Sequence, residues 1–143
     1  KSFLKGIDMS ASPVVALRKA IRAFLLADSG FAAALGDKLY DEAPRGVEPP
    51  YVLFADVQLR DWSADLSPGA EQFFTLGVTS TMRGLSEALE LAQRIVGLLN
   101  EAPLNLQDHR LIDLRFQSME TRRDQNGRFA RVNLRFRATT EYL

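Results

Sequence analysis

His109, the only histidine, stands between Asp108 and Arg110, and a carboxylate beside an imidazole is what a general base uses to hold its ring in one tautomer. The sequence supplies no second half to that arrangement. No serine lies in a nucleophile-elbow pattern, a lone histidine has no partner ligands for a metal, and His109 falls where a strand begins, so a structural role is the better reading. Acidic pairs occur at Asp41-Glu42 and at Asp61 with Asp65, but without the ligand spacing of a calcium loop or a glycine at its bend. They read as solvated loop charge. Gly84 and Gly97 are isolated, and no Gly-Lys-Ser/Thr follows a strand, so a phosphate cradle is missing. The absence of cysteine excludes disulfides, thiolate metal sites and thiol nucleophiles. An enzyme is not excluded by these residues, but nothing in them asks for one, and they point to no cofactor and no metal site.

What remains is charge. The 143 residues sum to zero, yet eight arginines (110, 115, 122, 123, 128, 131, 135, 137) face only Asp113, Glu120 and Asp124 between positions 110 and 137, leaving +5. Residues 51–100 hold three arginines against six acids, leaving −3. A chain with a basic and an acidic sector can dock against copies of itself, because opposite potentials steer and orient encounter. Equally, strand arginines can simply solvate an exposed sheet face. A nucleic-acid reading would want aromatics on that face for base stacking, whereas Phe116 and Phe136 alternate with aliphatic residues and read as core. Phosphate binding by the arginines alone would show a steep salt dependence. Trp62, the only tryptophan, lies beside Asp61, Ser63, Asp65 and Leu66 in a polar loop over 60–71, and is the residue type most enriched at interface hot spots. The competing reading folds it back over an apolar face.

The elements that hold these residues follow from periodicity. The return run 128–140 alternates Val132, Leu134, Phe136 and Ala138 with Arg131, Asn133, Arg135 and Arg137, a strand with one buried and one wet face. It pairs with the run 110–121 through the turn Asp124-Gln125-Asn126-Gly127, whose last two residues tolerate the positive φ of a tight hairpin. On the outgoing run the alternation places Ile112, Leu114 and Phe116 on one face, and Leu111, Asp113, Arg115, Gln117 and Met119 on the other. Ser12-Pro13 opens a first helix with the stripe Val14, Leu17, Ile21, Phe24 and Leu25. One more helical turn fits 31–35 and a short strand fits 38–40. Pro49-Pro50 leads into a strand over 51–59, with Tyr51, Leu53, Ala55, Val57 and Leu59 on one face, and a second strand returns over 72–80. A second helix runs from about Gly84 to Leu99 with the stripe Leu85, Leu89, Ala92, Val96 and Leu99, and with Glu90 four residues ahead of Arg94.

The order helix, strand, strand, helix, strand, strand predicts an α+β fold: a four-stranded, mainly antiparallel sheet with two helices packed on one face. Residues 1–8, ahead of Met9, read as an expression scar or flexible arm, and 9–143 as one domain. No apolar run approaches the roughly 20 residues that span a bilayer, so no membrane association is expected. Edge strands of this length need managing, and pairing with a neighbouring copy is one way.

Several landmarks in order carry a family resemblance. They are Pro13 with Ala16-Leu17, Ala27-Asp28, Leu35-Gly36, Tyr40-Asp41 before Pro44, Pro50-Tyr51-Val52, Trp62-Ser63 and Glu87-Ala88. Leu106 with His109-Arg110-Leu111, Asp124 with Gly127, and Arg135-Phe136-Arg137 with Glu141 complete the set. From residue 13 to 141 the sequence resembles the tail-terminator, or tail-completion, family of long-tailed phages and of the gene-transfer agents derived from them. The resemblance implies a non-enzymatic virion protein that forms a homo-hexameric ring on the finished tail tube. That ring would stop addition of the major tail tube protein, offer the surface for the head–tail connector or stopper protein, and let DNA pass without sequence-specific binding. It further implies assembly in the bacterial cytoplasm and a final place at the head-proximal end of the tail in the virion or gene-transfer-agent particle. The candidate interface residues are Trp62, Asp65 and Leu66 in the loop, and Arg115, Arg122, Arg123, Arg128, Arg131, Arg135 and Arg137 on the hairpin. A head-completion or stopper adaptor of the same particle is the nearest alternative, and a nucleic-acid-binding module the more distant one.

Overall fold

The computed structural model describes residues 12–64, 67–81, 85–123 and 128–143. The turn 124–127, the arm 1–8 with Met9, the loop residues Asp65 and Leu66, and the expected helix start at Gly84 lie outside the described residues. Helix α1 (Pro13–Leu26) begins as its sequence dictates: the Ser12 hydroxyl accepts from the Val15 amide at 3.3 Å, and Pro13 takes the first helical position. Its buried stripe is Ala16, Leu17, Ile21 and Leu25, with Phe24 at the margin. Asp28 then caps α2 (Ser29–Leu35), accepting from the Phe31 amide at 2.8 Å, and Gly36 ends it with φ at +60°. Strand β1 (Leu39–Tyr40) follows, and a cis Pro49-Pro50 peptide leads into β2 (Tyr51–Asp61). The remaining elements are β3 (Gly69–Thr81), α3 (Leu85–Leu99), β4 (His109–Arg123) and β5 (Phe129–Tyr142).

The strands form one sheet in the order β1-β2-β3-β5-β4, with β1 parallel to β2 and every other pair antiparallel. The class is α+β as expected, but the described residues build a mixed sheet of five strands and three helices, where a four-stranded, mainly antiparallel sheet with two helices was expected. Both additions are short pieces that found partners. Asp28 supplies α2 with a cap of its own, and β1 is held on the outer edge of β2, where the Val52 amide donates to the Lys38 carbonyl at 2.9 Å.

Three expectations about faces also change, and in two of them the cause is an extra residue in a strand. In β2 the register passes from Phe54↔Leu76 to Val57↔Phe74, so one residue is inserted and the alternation reverses. Val52 and Phe54 are therefore core, and Tyr51 and Leu53 lie on the opposite face from Val57 and Leu59. In β4 extra residues fall at Ile112 and Gln117, so that Leu111, Leu114, Phe116 and Met119 share the helix side and Ile112 is pushed outward. In α3 the buried stripe is Ala88, Leu91, Ala92, Ile95 and Leu99, while Leu85, Leu89 and Val96 sit at its margins. Arg94 does not turn to Glu90: it reaches Asp28 of the α2 cap at 2.7 Å.

All three helices cover the same sheet face. Leu17, Ile21, Leu25, Ile95 and Leu99 pack over Leu76, Val78, Val132, Leu134 and Phe136 in one cluster. The Phe136 ring stacks on Phe74 at 5.4 Å and meets Phe116 edge-on at 5.8 Å. Each such side chain contributes about 1.5–3 kcal/mol on full burial. A buried Gln72 amide donates to the Pro13 carbonyl at 3.0 Å, fixing the start of α1 over β3. His109 is core as well, buried with its ring 5.0 Å from that of Tyr142.

Candidate functional site

The other sheet face is covered by no element among the described residues, and the alternation of β5 puts Arg131, Asn133, Arg135 and Arg137 on it. The neighbouring strands add Arg115, Ser118, Glu120 and Arg122 from β4, and Glu71, Phe73, Thr75 and Thr79 from β3. Two register pairs place like charges directly opposite one another, Arg115↔Arg137 and Arg122↔Arg131, an arrangement that repels unless each guanidinium is drawn elsewhere.

Each one is drawn elsewhere. Arg137 crosses to β3, where its Nε meets Glu71 Oε2 at 2.6 Å, and Arg60 from β2 binds the other Glu71 oxygen through Nη2 at 2.8 Å and Nε at 3.2 Å. Glu71 is only 7% exposed, and the Arg137 hydrogen bond holds its carboxyl below the ordinary glutamate range against the opposing effect of burial, with Arg60 assisting. Arg115 turns to Asp113 at 3.0 Å and Glu101 at 3.6 Å, and Arg122 to Glu120 at 2.9 Å. Arg131 donates to the Thr79 hydroxyl at 3.3 Å. Arg135 lies over the Phe73 ring at 5.2 Å, and Arg60 approaches the same ring at 5.6 Å. Arg131 and Arg135 thus have no carboxylate partner among the described residues. Together with Arg122, Asn133, Asp56 and Glu120 they border a groove of about 530 Å³.

The remaining candidates lie apart from this groove. Arg123 closes β4 on the helix side, opposite Ala130, and Arg128 stands just ahead of β5. Trp62 is at the other end of the sheet, on the tip of the β2–β3 hairpin. The polar loop is shorter than expected, because Arg60 pairs with Glu71 and Asp61 with Ala70 inside the sheet. Trp62 donates its amide to the Gly69 carbonyl at 2.9 Å, brings its ring edge against Gly69 and is 41% exposed as a residue. Asp61 fixes that tip, accepting from the Ser63 amide at 3.1 Å and the Ser63 hydroxyl at 2.6 Å.

Sequence reading missed Glu71 and Phe73, the two residues that organise the arginines. The period-two alternation of β3 carried the signal, since Glu71 and Phe73 fall in phase with Thr75 and Thr79, but assigning position 71 to a loop hid it. Among the described residues no group of three or more His, Asp or Glu could hold a metal, and no helix is long and apolar enough to cross a membrane. The arrangement is an open, charged sheet face with a groove, and among the described residues it carries no proton-transfer or nucleophilic geometry.

The model of the family described as "Tail completion protein gp17" matches residues 19–141. Among solved structures, the chain is similar to one from the virion of a native gene transfer agent (GTA) particle, at 30% sequence identity and a TM-score of 0.83, covering 94% of this chain and 99% of that one. No curated protein matches it.

Proposed function

The chain belongs to the tail completion protein family and is a structural protein, not an enzyme; from that premise we propose that it caps the finished tail tube as a homo-hexameric ring. In this reading the ring stops addition of tube subunits, offers the attachment surface for the head connector and lets DNA pass without reading its sequence. It is assembled in the bacterial cytoplasm and ends at the head-proximal end of the tail in a virion or gene-transfer-agent particle. The observation that carries the reading is the extent of the likeness: a chain of a gene transfer agent particle is similar over 94% of this one, so the whole fold, not a shared motif, has a counterpart in such a particle.

The site supports the reading in two ways. A basic face with two arginines that lack carboxylate partners among the described residues, on a chain of zero net charge, suits heterologous contacts between unlike surfaces, the kind that close into rings. Trp62, at the far end of the sheet, gives a second surface, so tube and connector can be met by different ends. Negative-stain images of particles from cells lacking this chain test the proposal. Tubes of uncontrolled length beside unattached heads are expected; normal-length tails beside heads that fail to hold DNA would replace this role with that of a head stopper.

A further inference from the structure

The sheet has two outer edges, and each is half covered. On β2 the Val52 amide points outward to β1, while the Trp62 amide points inward to Gly69. The inserted residue between Phe54 and Val57 accounts for the change of phase, so that Val57, Leu59 and Asp61 direct their backbone groups away from β3. β1 stops opposite Leu53, and Arg18 reaches the Ala55 carbonyl at 3.5 Å. No described residue pairs with the outer side of 57–61.

On β4 the covered half is 114–116, where the Leu114 carbonyl accepts from the Glu101 amide at 2.7 Å and the Phe116 amide donates to Asn100 Oδ1 at 2.9 Å. Past the extra residue Gln117, it is Met119, Thr121 and Arg123 that point outward. No described residue pairs with them on that side. The open half of β2 and the open half of β4 are equally long and lie at diagonally opposite ends of the sheet.

These edges match each other. Strands β2, β3, β5 and β4 alternate in direction, so a second copy set beside the first brings its β2 antiparallel to the first copy's β4. On both edges the outward-pointing residues carry their side chains on the helix side, so the joined sheet keeps all helices on one face. Val57, Leu59 and Met119 are among the exposed large hydrophobics, at 36%, 46% and 38%, and an exposed apolar edge strand is a ready template for pairing.

We propose that residues 57–61 of one copy pair antiparallel with residues 119–123 of the next, with Leu59 opposite Thr121. In this register Val57 faces Arg123, Asp61 faces Met119 and Arg60 faces Glu120 across the strands, while Val57 and Leu59 have Thr121 and Met119 as their diagonal neighbours. A shift of two residues one way sets Arg60 against Arg122, and the other way against Ser118, so charge selects the register. The contact joins unlike edges, which makes it propagate from copy to copy instead of stopping at a dimer. It rests on the ring reading and names the surfaces through which neighbouring copies meet.

The chain contains no cysteine, so a crosslink can be placed cleanly. Facing residues of an antiparallel pair lie about 4.5–5.5 Å apart at Cα, within disulfide range. Purified particles carrying the double variant Leu59→Cys and Thr121→Cys, once oxidised, are expected to give a ladder of covalent multimers of this chain that collapses on reduction. Either single variant should give none. Thr121→Pro removes the outward amide without taking a bond from β5 and should abolish incorporation of the chain while leaving its unfolding temperature within a few degrees of the parent. Several copies per particle with no ladder from the double variant, or crosslinked dimers from a single one, would overturn the edge pairing and leave the ring standing. A single copy per wild-type particle would remove ring and pairing together.

Discussion

Glu71 accepts from two guanidiniums at once, and the open sheet face depends on it: without that carboxylate, Arg137 would face Arg115 across the strands with nothing to draw it aside. Glu71→Gln keeps the shape and removes the charge, turning an amide hydrogen toward one of the arginines. Losing a charge-assisted hydrogen bond of this kind should cost about 1.5–3 kcal/mol in urea unfolding. The pH dependence follows from the sign of the shift. The folded carboxyl titrates below its ordinary value of 4.5, so its contribution is complete above that value and is lost as the pH falls through the folded one. The stability gap between parent and Glu71→Gln should therefore be constant near neutrality and narrow below pH 4.5. An unchanged gap in acid would mean that the carboxylate is not what orders these arginines. The arginines themselves were legible in the sequence, because the period of two on β5 has no interruption. Their partner was not, because an acid ahead of a strand reads as loop charge until the strand is known to extend that far.

At the scale of elements, caps and periodicity located almost every helix and strand, and insertions limited the rest. A bulge leaves no mark in composition, yet each one in β2 and β4 reversed the face of every residue after it, so Val57, Leu59 and Met119 were assigned to the wrong neighbours. The joint between α2 and α3 was illegible for a different reason: Asp28 and Arg94 are 66 residues apart in sequence, whereas Glu90 offers Arg94 a local partner. The Asp28 carboxylate caps α2 and is held below the ordinary aspartate range, first by Arg94 and then by the Phe31 amide. A methyl group at Gly30 would lie 2.1 Å from the Arg94 guanidinium, so Gly30→Ala must displace that guanidinium from where it now meets Asp28. Gly30→Ala and Arg94→Ala should each lower the unfolding temperature, and the double variant should lower it by clearly less than the sum. Additive effects would separate the glycine from the ion pair. Gly97, also helical, has nothing within 4 Å of where a Cβ would stand, so it serves no close approach. Gly97→Ala should stabilise by about 0.5–1 kcal/mol, read as a higher denaturant midpoint with an unchanged slope.

Across the whole molecule, the helix side is sealed by α1, α2 and α3 and the opposite side is left to arginines, most of which the protein neutralises itself. Arg60, Arg115, Arg122 and Arg137 each end on a carboxylate, while Arg131 and Arg135 end on a hydroxyl and a phenyl ring. Those two carry positive charge that the described face does not cancel, beside a groove open to a partner. Their reversal therefore tests docking with little cost to folding, whereas reversing Arg137 would set a carboxylate against the buried Glu71 and unfold the face it was meant to probe. The double variant Arg131→Glu and Arg135→Glu should keep the parent's unfolding temperature within a few degrees and lose incorporation into particles, leaving heads and tails unjoined under the microscope. Because the attraction is between charges at a surface, retained incorporation in the parent should also weaken as salt rises past about 0.15 M, where the screening length is about 8 Å. A charge-reversed chain that still joins heads to tails would show that the partners meet this protein elsewhere, and would turn attention to the Trp62 end of the sheet.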